Sequence, residues 1–285
     1  MKELERETIM KILDKNSVQP LIPKREMDSY KGNYGKTLLV GGNESMGGAI
    51  ILTALAAVYS GAGLVTVATD EKNHPALHAQ LPEAMVINWN NRQQLKLQIK
   101  DATVIVIGPG MGVSEDSFNL LNFVLDHITK EQRIIIDGSA ITLMAEHNLA
   151  IPTNQTVFTP HLGEWERLSG LKPSKQEPEL NKIARDQLNA TVVLKQHRTE
   201  IYFTDEVWQN QGGNPAMATG GMGDTLAGII ASLVGQLTDF KSGILAGVFL
   251  HSYIGDQLAE NQYVVLPSQL IKQLPFVLKK FSDAQ

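Results

Sequence analysis

Residues 214–228 read Asn-Pro-Ala-Met-Ala-Thr-Gly-Gly-Met-Gly-Asp-Thr-Leu-Ala-Gly and carry the strongest chemical pattern in the chain. After Asp224, apolar residues recur at 226, 229, 230, 233 and 234, which is one face of a helix. Gly220, Gly221, Met222 and Gly223 therefore feed a helix N-terminus, whose free N–H groups and positive dipole end make an anion hole. Asp224 falls in the first turn, where an acid can simply cap the helix and complement its dipole. Capping alone leaves three glycines at one turn unexplained. A carboxylate beside an anion-binding loop can also deprotonate a hydroxyl that attacks a phosphoryl group. The loop is not a Walker A motif, because no Gly-Lys-Ser/Thr follows the glycines. The earlier glycine loop, residues 40–48, fails the same test and lacks the dinucleotide-fingerprint spacing.

Two further segments could join that site. Thr159-Pro160-His161-Leu162-Gly163-Glu164 follows a predicted strand and opens a short helix. His161 is a candidate ligand contact and Glu164 a candidate metal-water or phosphate-side carboxylate. A Pro-His turn with a first-turn acid explains the same spacing. Lys195 ends a Val-Val-Leu strand and is followed by Gln196, His197, Arg198 and Thr199. A cationic strand end could bind a nucleotide phosphate or be a solvated turn. The other histidines (74, 78, 127, 147 and 251) show no metal-ligand spacing.

What must hold these residues in place follows from the rest of the chain. Predicted strands span 37–40, 64–68, 84–87, 103–107, 133–137, 155–159 and 191–195, and 201–203 with 207–209 reads as a hairpin. Helical patterns lie between, among them 115–128, 140–147 and 179–189, and three successive helices, 224–237, 242–259 and 268–281, close the chain. Near-continuous apolar strands alternating with helices imply an α/β fold, a mostly parallel central sheet with helices on both faces. Ligands then sit outside the carboxyl ends of the strands, where the glycine-rich segments fall. One domain over 1–285 is expected, with 1–30 a lead-in helix and linker. Residues 45–69 carry no charge, but four glycines and a change from Ala/Leu-rich to β-branched composition read as helix, turn and strand rather than a membrane span.

Composition narrows the function. The 285 residues hold 25 Lys+Arg against 30 Asp+Glu, a formal charge of −5, so neither nucleic acid nor an anionic membrane is an expected partner. With no cysteine, thiolate chemistry and Cys-ligated metals are excluded. The acid-bearing start has no apolar core of a secretory signal, so a cytoplasmic protein is expected.

The glycine loop with Asp224 resembles the anion-hole signature of the ribokinase-like superfamily. Lys31-Gly32-Asn33-Tyr34-Gly35-Lys36, the 61–67 block, Pro82-Glu83-Ala84, 108–112, 159–164 and 214–228, in that order, resemble the ADP/ATP-dependent (S)-NAD(P)H-hydrate dehydratases over roughly 30–275. The resemblance implies a ribokinase-like fold and a nicotinamide-cofactor repair enzyme, a hydro-lyase. Such an enzyme phosphorylates the 6-hydroxyl of the S epimer of NADH- or NADPH-hydrate, with ADP expected ahead of ATP, and then eliminates phosphate. By carry-over, Ala49, Gly112, His161 and Asp224 contact the hydrate, and Lys195, Gln196, His197, Arg198, Thr199 and Gly223 hold the nucleotide. Asp224 is the implied base. Mg²⁺ is expected through phosphates and waters, with no dedicated protein cage. A homo-oligomer, up to a tetramer, is expected from apolar helices at 49–59 and 244–253, and a separate epimerase is implied. The chain departs from the family pattern at Gly138-Ser139, where a second acid is usual, and in lacking glycine at 195–199. A vitamin-precursor alcohol kinase of the same superfamily shares these motifs but stops at the phosphorylated product. A nucleotide-sensing module without turnover is the remaining reading.

Overall fold

The structure is a computed structural model and describes residues 9–284. Ten strands form one sheet: β1 Met10–Leu13, β2 Lys36–Val40, β3 Leu64–Thr69, β4 Met85–Asn88, β5 Val104–Ile107, β6 Arg133–Ile136, β7 Thr156–Phe158, β8 Thr191–Leu194, β9 Glu200–Tyr202 and β10 Val207–Asn210. Their order is β1-β10-β9-β8-β7-β6-β5-β2-β3-β4. Every pairing is parallel except β10 with β9 and β9 with β8. The helices are α1 Lys15–Val18, α2 Gly47–Tyr59, α3 His74–Gln80, α4 Arg92–Asp101, α5 Glu115–Leu125, α6 Ser139–His147, α7 Leu162–Ser169, α8 Pro178–Leu188, α9 Met222–Gln236, α10 Phe240–Ala259 and α11 Pro267–Asp283.

The apolar runs are continuous because both sheet faces are covered. Successive side chains of a strand point to opposite faces, so Leu39, Val104, Val106 and Ile135 join one core with α2, α9, α10 and α11. Leu38, Val40, Ile105, Ile107, Ile134 and Ile136 join the other, under α4, α5 and α6. The uncharged stretch at 45–69 is α2, a turn and β3, as its composition suggested, and among the described residues no helix is long and apolar enough to cross a membrane.

Two expectations need correction. The lead-in helix does not hold for the described part of 1–30: Met10–Leu13 forms β1 in parallel register with β10, and only the single turn α1 and a 3₁₀ turn at Gln19–Leu21 follow. Residues 1–8 lie outside the described residues. The strand was hidden because its edge position leaves Lys11 and Ile12 exposed and buries only Leu13 fully, which is no alternation. Likewise, α2 and α10 do not carry surplus apolar surface, since α9 packs between them and α11 covers both.

That packing is close enough to require glycine. A Cβ at Gly228 of α9 would stand 2.3 Å from the Thr53 carbonyl oxygen of α2, and one at Gly243 of α10 would stand 2.7 Å from the Val234 backbone. Gly228→Ala should therefore destabilise by about 1–3 kcal/mol through overpacking, outweighing the ~1 kcal/mol helix-propensity gain of alanine. Gly48→Ala on α2, where a Cβ meets open space, should leave the urea midpoint unchanged or slightly raised.

Candidate active site

The strand ends converge on the N-terminus of α9. Gly221 caps that helix at φ 93°, a left-handed conformation that favours glycine, and Leu52 of α2 and Pro267 of α11 fill the space a Cβ there would need. Met222, Gly223 and Asp224 follow as the first turn, so their N–H groups are the free donors of the helix. Gly220 precedes them on the surface.

Asp224 sits in a cluster of charge that sequence reasoning only half anticipated. Lys195, at the end of β8, places Nζ 2.8 Å from Oδ1 of Asp137, at the end of β6. Thr159, at the end of β7, donates its hydroxyl to the same Oδ1 at 2.6 Å. Burial, with the nearby Asp137 carboxylate adding to it, pushes the Asp224 pKa up from 3.8 to about 6, although Lys195 pulls the other way. Burial likewise raises Glu164 above the usual carboxylate range against the pull of Lys195. Burial acts to lower the Lys195 pKa, but Asp137, Glu164 and Asp224 outweigh it and hold the ammonium charged. Asp224 is therefore a carboxylate able to accept a proton near neutral pH.

His161 and Glu164 resolve into one local device. His161 caps α7 by accepting the Gly163 and Glu164 N–H groups at Nδ1, at 3.0 and 3.2 Å. Glu164 Oε2 returns a bond from the His161 N–H at 2.8 Å, completing a capping box. With Nδ1 engaged as an acceptor, the ring N–H sits on Nε2 of this half-open side chain. Glu164 is almost wholly buried, and its Oε1 lies 3.6 Å from His161 Nε2. The capping reading of the Pro-His turn is what these bonds show, and Nε2 is left outside the cap. His161 also bridges to Lys195 in parallel register, which sets these side chains on neighbouring strand ends.

Ala49 lies in the first turn of α2 and Gly112 in the loop after β5. The loops after β2 and β5 continue the ladder through Gly42 N–H to Pro109 at 2.8 Å and Asn43 N–H to Gly110 at 2.7 Å. The Ala49 Cβ lies against Gly110, and the Gly112 N–H donates to the Ser139 hydroxyl at 3.0 Å. The Gly138-Ser139 departure accordingly keeps an oxygen acceptor for the Gly112 loop. Of the nucleotide candidates, Lys195 meets the glycine loop at Gly223, while Gln196, His197, Arg198 and Thr199 form the bend from β8 into β9, beside Gly213. Asp137 and Ser139 were the residues missed; Asp137 carried a signal, an acid ending an Ile-Ile-Ile strand at a Gly turn. Among the described residues no three His, Cys, Asp or Glu side chains gather in metal-holding geometry.

A glycine-loop anion site with a proton-accepting carboxylate, at the carboxyl ends of a mostly parallel sheet, defines a ribokinase-like α/β protein. The profile of the NAD(P)H-hydrate dehydratase family matches residues 37–276, and the chain belongs to that family. It is 51% identical over 262 residues to the ADP-dependent (S)-NAD(P)H-hydrate dehydratase of Staphylococcus aureus, covering 92% of this chain and 95% of that protein. It is 49% identical to the protein of that name from Lactiplantibacillus plantarum, covering 94% and 96%. Among solved structures, a ribokinase-like superfamily protein of Enterococcus faecalis superposes with a TM-score of 0.94 at 47% identity, covering 96% of each chain. The ADP/ATP-dependent NAD(P)H-hydrate dehydratase of Bacillus subtilis, co-crystallised with ATP/Mg²⁺, gives 0.84 at 29% identity, covering 95% and 99%.

Two variants test the site. Asp224→Asn keeps the side chain's size, and the cap of α9 is Gly221, so loss of the base should reduce turnover roughly 10²–10⁴-fold, and the wild-type rate should fall off below a pH of about 6. Because the folded-state pKa is raised, the charged carboxylate costs stability; the cost is absent below pH 3.8, grows up to about pH 6 and is full above it. Asp224→Asn should therefore melt higher than wild type at pH 8 and match it near pH 3.5. His161→Asn keeps a good N-cap but loses Nε2–H, so the melting temperature should hold while KM for the hydroxyl substrate rises about 3–10-fold, one hydrogen bond's worth. Unchanged KM would leave His161 a cap only.

Proposed function

We propose that this protein is an ADP-dependent (S)-NAD(P)H-hydrate dehydratase, a cofactor-repair hydro-lyase. The observation that carries the reading is Asp224, whose pKa is pushed up to about 6 in the first turn of α9 beside Gly220, Gly221 and Gly223. The curated relatives named above share the chain nearly end to end. Asp224 takes the proton from the 6-hydroxyl of the S epimer of hydrated NADH or NADPH as that oxygen attacks the terminal phosphorus of ADP. The loop N–H groups of 221–223 hold the phosphoryl oxygens, and AMP departs. Phosphate then leaves carbon 6, a proton leaves carbon 5, and the reduced nicotinamide is restored. Ala49, Gly112 and His161 orient the hydrate, with His161 donating from Nε2; Lys195, Gln196, His197, Arg198, Thr199 and Gly223 frame the nucleotide.

The donor set supports a divalent cation brought by the nucleotide. Asp137, Glu164 and Asp224 against one ammonium give a formal charge of −2, which repels incoming phosphates unless a cation offsets it. Magnesium prefers phosphate oxygens and water, and Glu164 is the carboxylate that would face its hydration shell. Bound there, Mg²⁺ would supply charge neutralisation.

The protein acts on hydrated NADH or NADPH with an adenine nucleotide, without nucleic acid or membrane partners, in the cytoplasm, and a separate epimerase supplies the S epimer. Self-association is proposed on a different surface from the one first expected. Met27, Tyr30 and Phe276 are strongly exposed, and Met27 and Tyr30 line a cavity of about 1230 Å³ between residues 22–34 and the ends of α2, α9 and α11. Light scattering at micromolar concentration should show a particle larger than 31.2 kDa.

Incubation of hydrated NADH with ADP and Mg²⁺ should release AMP and inorganic phosphate in equal amounts and restore the absorbance of reduced nicotinamide. A stable phosphorylated product would make the protein an alcohol kinase instead; nucleotide binding with no phosphate release would make it a sensor.

A further inference from the structure

In the scheme above Lys195 only frames the nucleotide, and its pairing with Asp137 has no chemical part. Asp137 is 3% exposed and the Lys195 side chain 21%. A buried pair of this kind is a weak source of stability, because desolvation offsets the attraction, so its placement calls for another reason. Lys195 and Asp137 close adjoining strand ends across β7, and Thr159 on β7 fixes the shared carboxylate oxygen from the third side. The ammonium so held lies at the glycine loop: a Cβ at Gly223 would stand 3.1 Å from Nζ. No hydrogen bond joins Lys195 to Asp224 or Glu164 among the described contacts, although both lie within electrostatic reach.

We propose that Lys195 is a catalytic residue that contacts the phosphoryl group both during transfer and during departure, and that Asp137 is the positioning residue that keeps its ammonium at the glycine loop. The proposal rests on the dehydratase reading and deepens it. In the first step the bond from the substrate oxygen to phosphorus forms while the bond from phosphorus to the AMP oxygen breaks, and the hydroxyl proton passes to Asp224. In the second step the bond from carbon 6 to oxygen breaks, its electron pair leaves with phosphate, and the proton on carbon 5 passes to solvent as the ring double bond forms. Charge gathers on the phosphoryl oxygens in both steps, and one fixed cation serves both. By holding Lys195 off Asp224, Asp137 also leaves the base free to take its proton. The groups facing Asp224 are Asp137 from β6, Glu164 from α7 and Lys195 from β8; His251 of α10 faces Lys195 and is neutral, its pKa pushed down by burial to about 4.

The test uses the full chain with ADP, Mg²⁺ and hydrated NADH. Lys195→Met should lower kcat roughly 10²–10³-fold with KM for the hydrate within about threefold, and Lys195→Arg should recover part of the loss. ADP should bind at least tenfold more weakly to Lys195→Met while AMP, which lacks the transferring group, binds as to wild type. Asp137→Asn, which keeps the Thr159 bond, should lower kcat about tenfold and move the acid limb of the pH–rate profile down, because a carboxylate near Asp224 is gone. Lys195→Met should move that limb up. Since Lys195→Met strands a buried carboxylate, the Lys195→Met/Asp137→Asn double variant provides a second measurement free of that charge, and its loss should match the lysine variant's. Near wild-type kcat in the double variant, or equal weakening of ADP and AMP, overturns the proposal. If wild type fails to restore the hydrate, the dehydratase reading falls, while the ADP-against-AMP contrast still decides whether Lys195 meets the transferring phosphoryl.

Discussion

The site depends on where α9 is allowed to lie. This helix is wedged between α2, α10 and the middle strands of the sheet, and glycines at 228 and 243 bring backbones into direct contact. A helix held that tightly along its length has little freedom in direction, so its first turn is presented at a fixed point over the strand ends. Free N–H groups are useful as an anion hole only if they are pre-aimed, since reorienting them during reaction would forfeit the advantage. Leu52 and Pro267 against Gly221 extend the same packing into the loop itself. The helix packing and the anion site are one structure.

Electrostatics then decide which carboxylate is basic. Asp137, Glu164 and Asp224 compete for a single ammonium, and hydrogen-bond geometry awards it to Asp137. Asp224 loses that contest and is half-buried, so its proton affinity rises; Glu164 shifts the same way but spends one oxygen on the α7 cap. Three acids of similar intrinsic strength are separated into a paired anion, a capping acid and a proton acceptor by their positions on β6, α7 and α9.

Much of the fold was legible because periodicity and burial agree in it. The strands at 37–40, 64–68 and 133–137 show continuous apolar runs since helices cover both faces, and the glycine loop with Asp224 stood out since no packing role needs so many glycines at one turn. Strand β1 was not legible: an edge strand held by backbone bonds to β10 needs no side-chain pattern. The Asp137–Lys195 contact was invisible for a different reason. The two residues are 58 positions apart, and only the strand order, which sets β6, β7 and β8 side by side, brings them together. The apolar helices α2 and α10 misled as evidence for a partner because their natural partner is α9, a helix of the same chain.

His161 shows how one residue satisfies two demands without compromise. A helix start beside a ligand site needs its orphan N–H groups capped, and an oxygen cap such as Asp would add a fourth carboxylate to a cluster that already repels phosphate. An imidazole accepts the same bonds through Nδ1 without adding a carboxylate, and its accepting role leaves the ring N–H on Nε2. The cap therefore fixes the tautomer. Glu164, drawn back onto the His161 N–H, is by the same bond kept from turning toward Lys195. Stability of α7 and polarity of the site wall are consequences of a single arrangement of bonds.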